Sequence, residues 1–358
     1  IRNWFKKMRR EENIQQGRDA LSKELRREMI IIPDDQLDAY IEAFENAGSE
    51  VSVQPSGKNA VIVENNGYVE SEFDFDASTG TITSYNGYAT YLAIPETIGG
   101  APVKAIGPEA FAQHTYLALL ELPEGLETIG DRAFYNCETL ARVHFPSTLK
   151  FIGDSAFYNA YKSSILELPE GLEHIGAYAF YFAGIKGFLT LPEGLKTIGE
   201  SAFESCKYLT TVNFLESAAG EQSVPLTIGD KAFYNCLAIV SIELPARTVS
   251  VGDDCFRRYG TEKSKLKTVV LNEGLQTIGA RAFNSCDELE SIIIPSTVTE
   301  IGMQAFASDG KLTNVTFTEC SDGNIVPLTL GTYVFQTCSA LETVVLREGT
   351  KNIPQHAF

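Results

Sequence analysis

The sequence predicts an α/β repeat fold, a right-handed solenoid with a parallel β-sheet, preceded by a small α+β cap at its N-terminal end. The pattern Ile-Gly-x-x-Ala-Phe recurs over about three quarters of the chain, and seven of the ten intervals between its phenylalanines are 23 residues. The other three intervals are longer, as expected for stacked coils that tolerate loop insertions. The repeat phenylalanines are Phe111, Phe134, Phe157, Phe180, Phe203, Phe233, Phe256, Phe283, Phe306, Phe335 and Phe358.

Residues 1–48 are predicted to be a helical N-terminal segment. Residues 2–29 contain no proline and many Arg and Glu residues, which favours a helix. The sequence Pro33-Asp34-Asp35 is typical of a helix start, and Gly48 suits a helix C-terminus. Between them, apolar residues follow helical spacing at Leu37, Tyr40, Ile41 and Phe44.

Residues 49–87 are predicted to be a β-rich cap. Short β-prone stretches alternate there with turn residues such as Gly67 and Ser78-Thr79-Gly80. The stretches are Val51/Val53, Ala60–Val63, Val69–Phe75 and Ile82/Tyr85. A solenoid exposes its core at each end, so we expect this segment to cover the N-terminal end.

Residues 88–358 are predicted to form about eleven coils, and the segment from Leu140 to Asn159 illustrates one of them. Val143 and Phe145 alternate with polar residues, which predicts a half-buried strand that ends at Pro146. Gly153 is expected to adopt a positive φ in a turn. Asp154 or Ser155 is then expected to begin a short helical turn.

The repeat L-P-E-G-L-x-x-I-G-x-x-A-F-x-x-C-x-x-L resembles the BspA-like leucine-rich repeats of bacterial surface proteins. The resemblance covers about residues 88–358. The segment Phe75–Ile106 also resembles the segment that opens such arrays. The resemblance implies a cell-surface or secreted protein that binds host or matrix proteins or glycans.

The charge distribution argues against nucleic acid as a partner of the main body. Residues 1–28 carry nine Lys/Arg and five Asp/Glu, whereas the remaining residues carry 20 and 42, a net charge of −22. An acidic body repels phosphate backbones. The basic arm is interpreted as a solvated helix with Arg–Glu pairs, although it could contact an anionic surface.

Membrane attachment is expected only through segments outside this chain. No apolar run approaches the roughly 18–20 residues that span a bilayer. The chain starts at Ile1 rather than Met, so a leader or anchor could precede it. The last coil ends at a repeat phenylalanine without a polar cap, so we expect either an oligomer contact or a continuing chain there, and favour the latter.

The cysteines are interpreted as small buried hydrophobic residues. Five of the seven lie three residues after a repeat phenylalanine, where other coils have Ala160, Ala183 or Asp309. The main alternative is a disulfide between Cys206 and Cys236, because a coil spacing of roughly 4.8 Å is within disulfide reach. A zinc site is not expected, since the sequence has no CxxC motif and no His at ligand spacing.

No catalytic, metal or cofactor site is expected, and the protein is predicted not to be an enzyme. The four histidines, His114, His144, His174 and His356, occupy three different repeat positions and are not predicted to converge. The sequence also lacks the G-x-S-x-G, H-E-x-x-H and P-loop motifs.

The outward face of the predicted strands is the main candidate binding surface. Its residues vary from coil to coil, whereas the inward residues remain apolar, as expected for a binding face on a fixed scaffold. The alternative is an ordinary solvated sheet, although parallel sheets are usually covered on both faces. The candidate residues on this face are Arg142, His144, Ile165, Glu167, Phe188 and Thr190.

A stripe of tyrosines is the second candidate surface. Tyr135, Tyr158, Tyr181 and Tyr234 each follow a repeat phenylalanine, and stacked tyrosines could form a platform for a sugar or a peptide. The alternative is that these rings pack over the turns as a structural rim.

We therefore expect a non-enzymatic, extracellular or cell-surface module that binds a host or matrix protein through the solenoid sheet. Two alternatives stay open: a glycan-binding accessory module that uses the tyrosines, and an intracellular repeat scaffold, with which unpaired thiols agree. The sequence does not specify the ligand or the oligomeric state.

Overall fold

The computed structural model describes residues 70–160, 166–216, 224–320 and 325–358 in full, and the backbone of residues 30–33, 52–56 and 59–63. Within these residues the chain forms 29 strands and one turn of 3-10 helix at Glu70–Glu72. The solenoid is confirmed, and each of its coils has two strands followed by a run of turns. Its handedness stays a prediction.

The N-terminal strands form short antiparallel pairings. β1 (Ile30–Pro33), β2 (Ser52–Ser56) and β3 (Asn59–Val63) form a sheet in the order β1-β3-β2. β4 (Phe73–Asp76) and β5 (Thr81–Tyr85) form a hairpin at the end of the solenoid. The predicted α+β cap is not confirmed, since the predicted helices over 2–29 and around Leu37–Phe44 lie outside the described residues.

The first strand of each coil contributes to what we call the strand face. These strands pair in parallel with matching repeat positions opposite each other, for example Val143 opposite Leu120. They are β6 (Tyr91–Ala93), β10 (Leu119–Glu121), β12 (Arg142–His144), β14 (Leu166–Glu167), β16 (Lys186–Leu191), β18 (Tyr208–Phe214), β20 (Ser241–Glu243), β22 (Thr268–Val270), β24 (Ser291–Ile294), β26 (Asn314–Phe317) and β28 (Thr343–Val345).

The second strand of each coil contributes to a continuous sheet, here called the Ile-Gly sheet, which has 13 strands including β4 and β5. A short hairpin of β7 (Thr97–Ile98) and β8 (Ala101–Pro102) lies between β5 and β9 in the chain. Its coil strands are β9 (Ala105–Ile106), β11 (Thr128–Ile129), β13 (Phe151–Ile152), β15 (His174–Ile175), β17 (Thr197–Ile198), β19 (Leu226–Ile228), β21 (Thr248–Val251), β23 (Thr277–Ile278), β25 (Glu300–Ile301), β27 (Leu328–Leu330) and β29 (Thr350–Asn352).

The third side of each coil, which we call the turn face, is not helical, so the predicted helical turn at Asp154 or Ser155 is wrong. Ser155 and Asn159 have φ values of 53° and 50°, in the left-handed region. The amides of Ser155, Phe157 and Asn159 donate to the next coil, at 2.7–2.8 Å. Each left-handed residue costs roughly 1–2 kcal/mol, and the hydrogen bond that it makes to the next coil offsets part of that cost.

The glycine of each Ile-Gly step is required by close packing, and the prediction of a positive φ at Gly153 is wrong. Gly153 and its counterparts are absent from the glycines with positive φ. A Cβ on Gly176 would instead lie 2.5 Å from the carbonyl carbon of Gly153 and 2.6 Å from the amide nitrogen of Asp154. The Asp154 carboxylate accepts a hydrogen bond from the next coil, from the amide of Ala177 at 2.7 Å.

A column of stacked aromatic rings runs through the core. The eleven repeat phenylalanines stack with neighbouring centroids 5.0–5.8 Å apart. Tyr85 continues the column at the N-terminal end, 5.1 Å from Phe111, and Phe73 packs against Tyr85. The β4–β5 hairpin therefore covers the first coil with the same type of contact that joins the coils.

Two buried arginines hold the coils next to the insertions. Arg247 donates hydrogen bonds to the carbonyls of Pro192 and Leu195, two coils earlier. Arg347 donates to the carbonyls of Pro295 and Ser296 in the same way. The accepting carbonyls lie in turns two coils before the arginine. Each guanidinium therefore crosses the coil that carries an insertion and joins the coils on either side of it.

Substitution of the close-packed glycine should destabilise the solenoid. We expect Gly176→Ala to lower the free energy of unfolding by about 1–3 kcal/mol or more, because the new methyl group meets backbone that cannot move aside. Chemical denaturation with circular dichroism would measure it. In the control, Gly194→Ala, the nearest atoms are 3.7 and 3.8 Å away, and little change is expected. Equal effects of the two substitutions would contradict the packing argument.

Candidate functional site

Five of the six strand-face candidates lie within the described residues. Glu167 and Thr190 are paired side by side on β14 and β16. Arg142 and His144 lie on β12, where His144 is exposed and Arg142 is half-buried. Ile165 lies outside the described residues.

The longest strands of the strand face carry exposed aromatic residues. Phe188 on β16 and Tyr208 on β18 are 49% and 60% exposed. The β16–β18 pairing shifts register between Gly187 and Phe188, and Gly187 has a φ of 79°. The sequence analysis identified Phe188 but missed Tyr208 and the irregularity at Gly187. The signal for the irregularity is the interval between Lys186 and its partner Tyr208, which is 22 rather than 23 residues.

The C-terminal half of the strand face is uncharged. Ile293 is 58% exposed, and Val270 and Val345 are exposed as well. Their neighbours on the outward face are hydroxyl and amide residues. The eight outward residues of β22, β24, β26 and β28 include no Asp, Glu, Lys or Arg: Thr268, Val270, Ser291, Ile293, Asn314, Thr316, Thr343 and Val345.

The tyrosine stripe forms a stack on the turn face. Tyr135, Tyr158 and Tyr181 stack with centroids 4.8 Å apart at interplanar angles of 22° and 11°. The guanidinium of Arg132 lies over Tyr135, 4.6 Å from the ring centroid. Ring faces inside this stack are covered by neighbouring rings, so the stack presents ring edges and hydroxyl groups rather than open faces to a ligand.

The thiols serve as hydrogen-bond donors inside the solenoid. All seven cysteines are free, so the alternative of a Cys206–Cys236 disulfide does not occur in this structure. The Sγ of Cys236 donates to the carbonyl of Phe203 at 3.0 Å, and that of Cys206 donates to Phe180 at 3.3 Å. Burial raises the pKa of Cys137 to about 12 and that of Cys206 well above its ordinary value, so these thiols stay protonated and chemically quiet.

Asp309 occupies the same internal position as these cysteines. Its side chain is fully buried, and its Oδ1 accepts a hydrogen bond from the amide of Cys286 at 2.8 Å. Its Oδ2 has no hydrogen-bond partner among the described residues. Burial raises the pKa of Asp309 well above its ordinary value, and the charge of Asp287 adds to the shift.

The histidines lie apart from one another. His114 packs against Tyr85 and Phe111, and His356 stacks on Tyr333. His144 and His174 lie on different strands, β12 and β15. Among the described residues, no three His, Cys, Asp or Glu side chains are grouped in a way that could hold a metal ion.

The described residues include no helix with the length and apolar character needed to cross a membrane.

Comparison with known protein families yields two matches. Residues 104–221 and 226–358 match the family described as BspA type leucine rich repeat region, with six copies. Residues 4–50 match the family described as RelA/SpoT AH domain. No curated protein matches the chain.

Several solved structures resemble the solenoid. A leucine-rich repeat protein from Bacteroides ovatus is 26% identical with a TM-score of 0.57, and the alignment covers 76% of this chain and 68% of that one. A leucine rich cell surface protein from Faecalibacterium prausnitzii is 21% identical with a TM-score of 0.39, over 79% and 95% of the two chains. The pneumococcal vaccine antigen PcpA is 20% identical with a TM-score of 0.34, over 87% and 84%.

Replacement of Asp309 should stabilise the protein in a pH-dependent way. The pKa of Asp309 is higher in the folded state than in the unfolded state, where it is near 3.8. The fold is therefore most stable with respect to this group at low pH, where the carboxyl is neutral. The free energy of unfolding falls as the pH rises through the folded pKa, because the buried carboxyl must then ionise. We expect Asp309→Cys, which restores the common residue of this position, to raise the free energy of unfolding by about 1–3 kcal/mol at pH 7.5, and by less at pH 4.5.

Denaturant titrations at the two pH values would measure this difference. Cys137→Ala is the control, because the pKa of Cys137 is about 12 and its thiol is neutral at both pH values. A gain from Asp309→Cys that is the same at both pH values would contradict the buried-acid explanation.

Proposed function

Because this chain belongs to the BspA-type leucine-rich repeat family, we propose that it is a non-enzymatic interaction module of a bacterial cell-surface or secreted protein. The module binds a partner protein, such as a host or matrix protein, through its strand face. The solenoid supplies a rigid scaffold, and the outward side chains of the first strand of each coil supply the contacts.

The observation that carries this proposal is the contrast between the two sides of the strand face. Inward residues such as Val143, Leu189 and Ile242 are apolar and buried in each coil. Outward residues at the next position range from Glu167 through Thr190 to Ile293. Because the inward residues repeat from coil to coil, the outward residues can vary and form a specific binding surface without disturbing the packing of the core.

Exposed apolar side chains add support. Phe188 and Tyr208 lie on the neighbouring strands β16 and β18, and Val270 and Ile293 lie on β22 and β24. Each pair would gain from being covered, since large exposed apolar residues that cluster mark interaction surfaces. The strand face carries charged residues of both signs and aromatic residues in its N-terminal half, whereas its outward residues in the C-terminal half are uncharged. A partner that complements it would carry basic groups opposite Glu121, Glu167 and Glu243 and apolar groups opposite Val270 and Ile293.

The cell-surface or secreted location rests on the family alone. Protonated, unbridged thiols are compatible with that location as well as with a cytoplasmic scaffold, so they do not discriminate between the two.

A glycan-binding role through Tyr135, Tyr158 and Tyr181 is the alternative function. It is less favoured because sugars stack on open ring faces, and the faces inside this tyrosine stack are covered by neighbouring rings.

Strand-face substitutions should weaken partner binding. We propose to identify a partner by binding the immobilised protein to a panel of extracellular matrix proteins and a glycan array, then to measure affinities of variants by surface plasmon resonance. Glu167→Lys and Ile293→Ser should each weaken binding about 5- to 30-fold, the effect of losing about 1–2 kcal/mol at a contact residue.

Glu300→Lys is the matched control, because Glu300 is an exposed glutamate on the Ile-Gly sheet. It should leave the affinity unchanged. If several strand-face variants bind as well as the wild type, the binding site lies elsewhere. If only glycans bind, and binding is lost in Tyr135→Ala and Tyr158→Ala, the alternative function replaces the proposed one.

A further inference from the structure

The tyrosine stack on the turn face is interrupted at one coil. The position after the repeat phenylalanine reads Tyr135, Tyr158, Tyr181, Glu204 and Tyr234 in successive coils. The amide of each of these residues donates to the carbonyl three residues earlier, at 2.9–3.1 Å. Because the backbone is equivalent in all five coils, Glu204 occupies the place where a fourth ring of the stack would lie.

The missing ring leaves a space between Tyr181 and Tyr234, here called the gap. Tyr178 and Phe182 also pack against Tyr181, with ring centroids 5.8 and 5.0 Å from it. The core phenylalanines of the same three coils are 5.3 Å apart from Phe180 to Phe203 and 5.4 Å apart from Phe203 to Phe233. Tyr181 and Tyr234 are therefore separated by two coil spacings, roughly 10 Å. Tyr181 and Tyr234 are both half-buried, so part of each side chain is accessible to solvent on the turn face.

A carboxylate forms the floor of this gap. The Oε2 of Glu204 accepts a hydrogen bond from the hydroxyl of Ser201 at 2.7 Å, and Ser201 is fully buried. This bond holds the Glu204 side chain towards the interior rather than across the opening. Burial raises the pKa of Glu204, as expected for a carboxylate that lacks a close cationic partner.

The surrounding charges do not neutralise Glu204. Lys231 favours the ionised carboxylate without forming an ion pair with it, whereas Glu200 and Asp254 oppose ionisation. The nearby Arg257 and Arg281 are engaged by Asp254, at 2.8 and 2.7 Å. A cation from outside the chain would therefore find a carboxylate without an ion-pair partner between two tyrosine side chains.

The other end of the stack shows how such a cation would lie. Arg132 places its guanidinium 4.6 Å from the centroid of Tyr135. A cation at the middle of a gap of roughly 10 Å would lie about 5 Å from each ring centroid, inside the range of about 6 Å for cation–π contacts. Guanidinium suits this gap better than ammonium, because it stacks on rings and also pairs with a carboxylate through two parallel hydrogen bonds.

We propose that the gap formed by Tyr181, Glu204 and Tyr234 binds an arginine side chain of a partner protein. The guanidinium stacks against the tyrosine faces and pairs with the carboxylate of Glu204. This site lies on the turn face and is separate from the strand face, so it goes beyond the proposed function and can fail without it.

Blocked arginine, N-acetyl-arginine-N-methylamide, is the probe that tests this site, with blocked lysine and blocked citrulline as comparisons. Ligand-observed NMR titrations should give a Kd on the order of 1 mM for blocked arginine, at least 5-fold weaker binding of blocked lysine, and no saturable binding of blocked citrulline. Binding should strengthen as the pH rises through the pKa of Glu204, because the ionised carboxylate is the partner.

Glu204→Tyr should abolish binding, since it completes the stack and closes the gap with the residue of the neighbouring coils. Glu204→Gln should weaken binding at least 5-fold while it leaves the gap open, which keeps the test valid if Glu204→Tyr fails to fold. Glu243→Gln, which removes an exposed carboxylate from the strand face, should have no effect.

The proposal is overturned if blocked arginine shows no saturable binding to the wild type, or if Glu204→Tyr or Glu204→Gln binds it as tightly. Equal binding of citrulline would show that charge plays no part. Equal or tighter binding of lysine would replace the guanidinium with an ammonium group and overturn the assignment to arginine.

Discussion

The close approach of successive coils at the Ile-Gly steps is the constraint on which the rest of this structure depends. Gly153, Gly176 and their counterparts lie against the preceding glycine so closely that a methyl group would overlap with its backbone. This approach sets a common spacing for the strands, the turn amides and the phenylalanine rings. Left-handed residues of the turn face, such as Ser155 and Asn159, are tolerated because their amides then meet carbonyls of the next coil.

The same spacing accounts for where the candidate sites lie. Because stacking uses the inward residues and the backbone of every coil, the outward side chains are free to vary without loss of stability. On the strand face this freedom produces a surface that changes from charged and aromatic to uncharged. On the turn face it produces a stack of tyrosines, Tyr135, Tyr158 and Tyr181, that Glu204 interrupts in the next coil.

Much of this architecture could be predicted from the sequence, because its determinants recur every 23 residues. The repeat phenylalanines, the inward strand positions and the small-residue position of the cysteines were all identified from spacing. The predicted helical turn and the positive φ at Gly153 were wrong, because both were inferred from one coil in isolation. The actual conformation of Ser155 and the actual role of Gly153 come from contacts between coils, which local sequence patterns do not contain.

The candidate sites were less predictable for a related reason. Tyr135, Tyr158 and Tyr181 stand out in the sequence as a column, but whether they offer faces or edges depends on ring orientation. Glu204, which interrupts that column, was not singled out from the sequence, because its surroundings depend on how neighbouring coils stack. The buried contacts of Arg247 join residues more than fifty positions apart, and such contacts leave no short-range pattern.

Hydrogen–deuterium exchange of backbone amides tests the central claim, that the turn face is joined from coil to coil as firmly as the sheets. The account predicts that the amides of Phe157 and Asn159, and of the matching residues in other coils, exchange as slowly as the amide of Ile152 in the Ile-Gly sheet. Rapid exchange of these amides, at the rate of ordinary solvent-exposed turns, would contradict it.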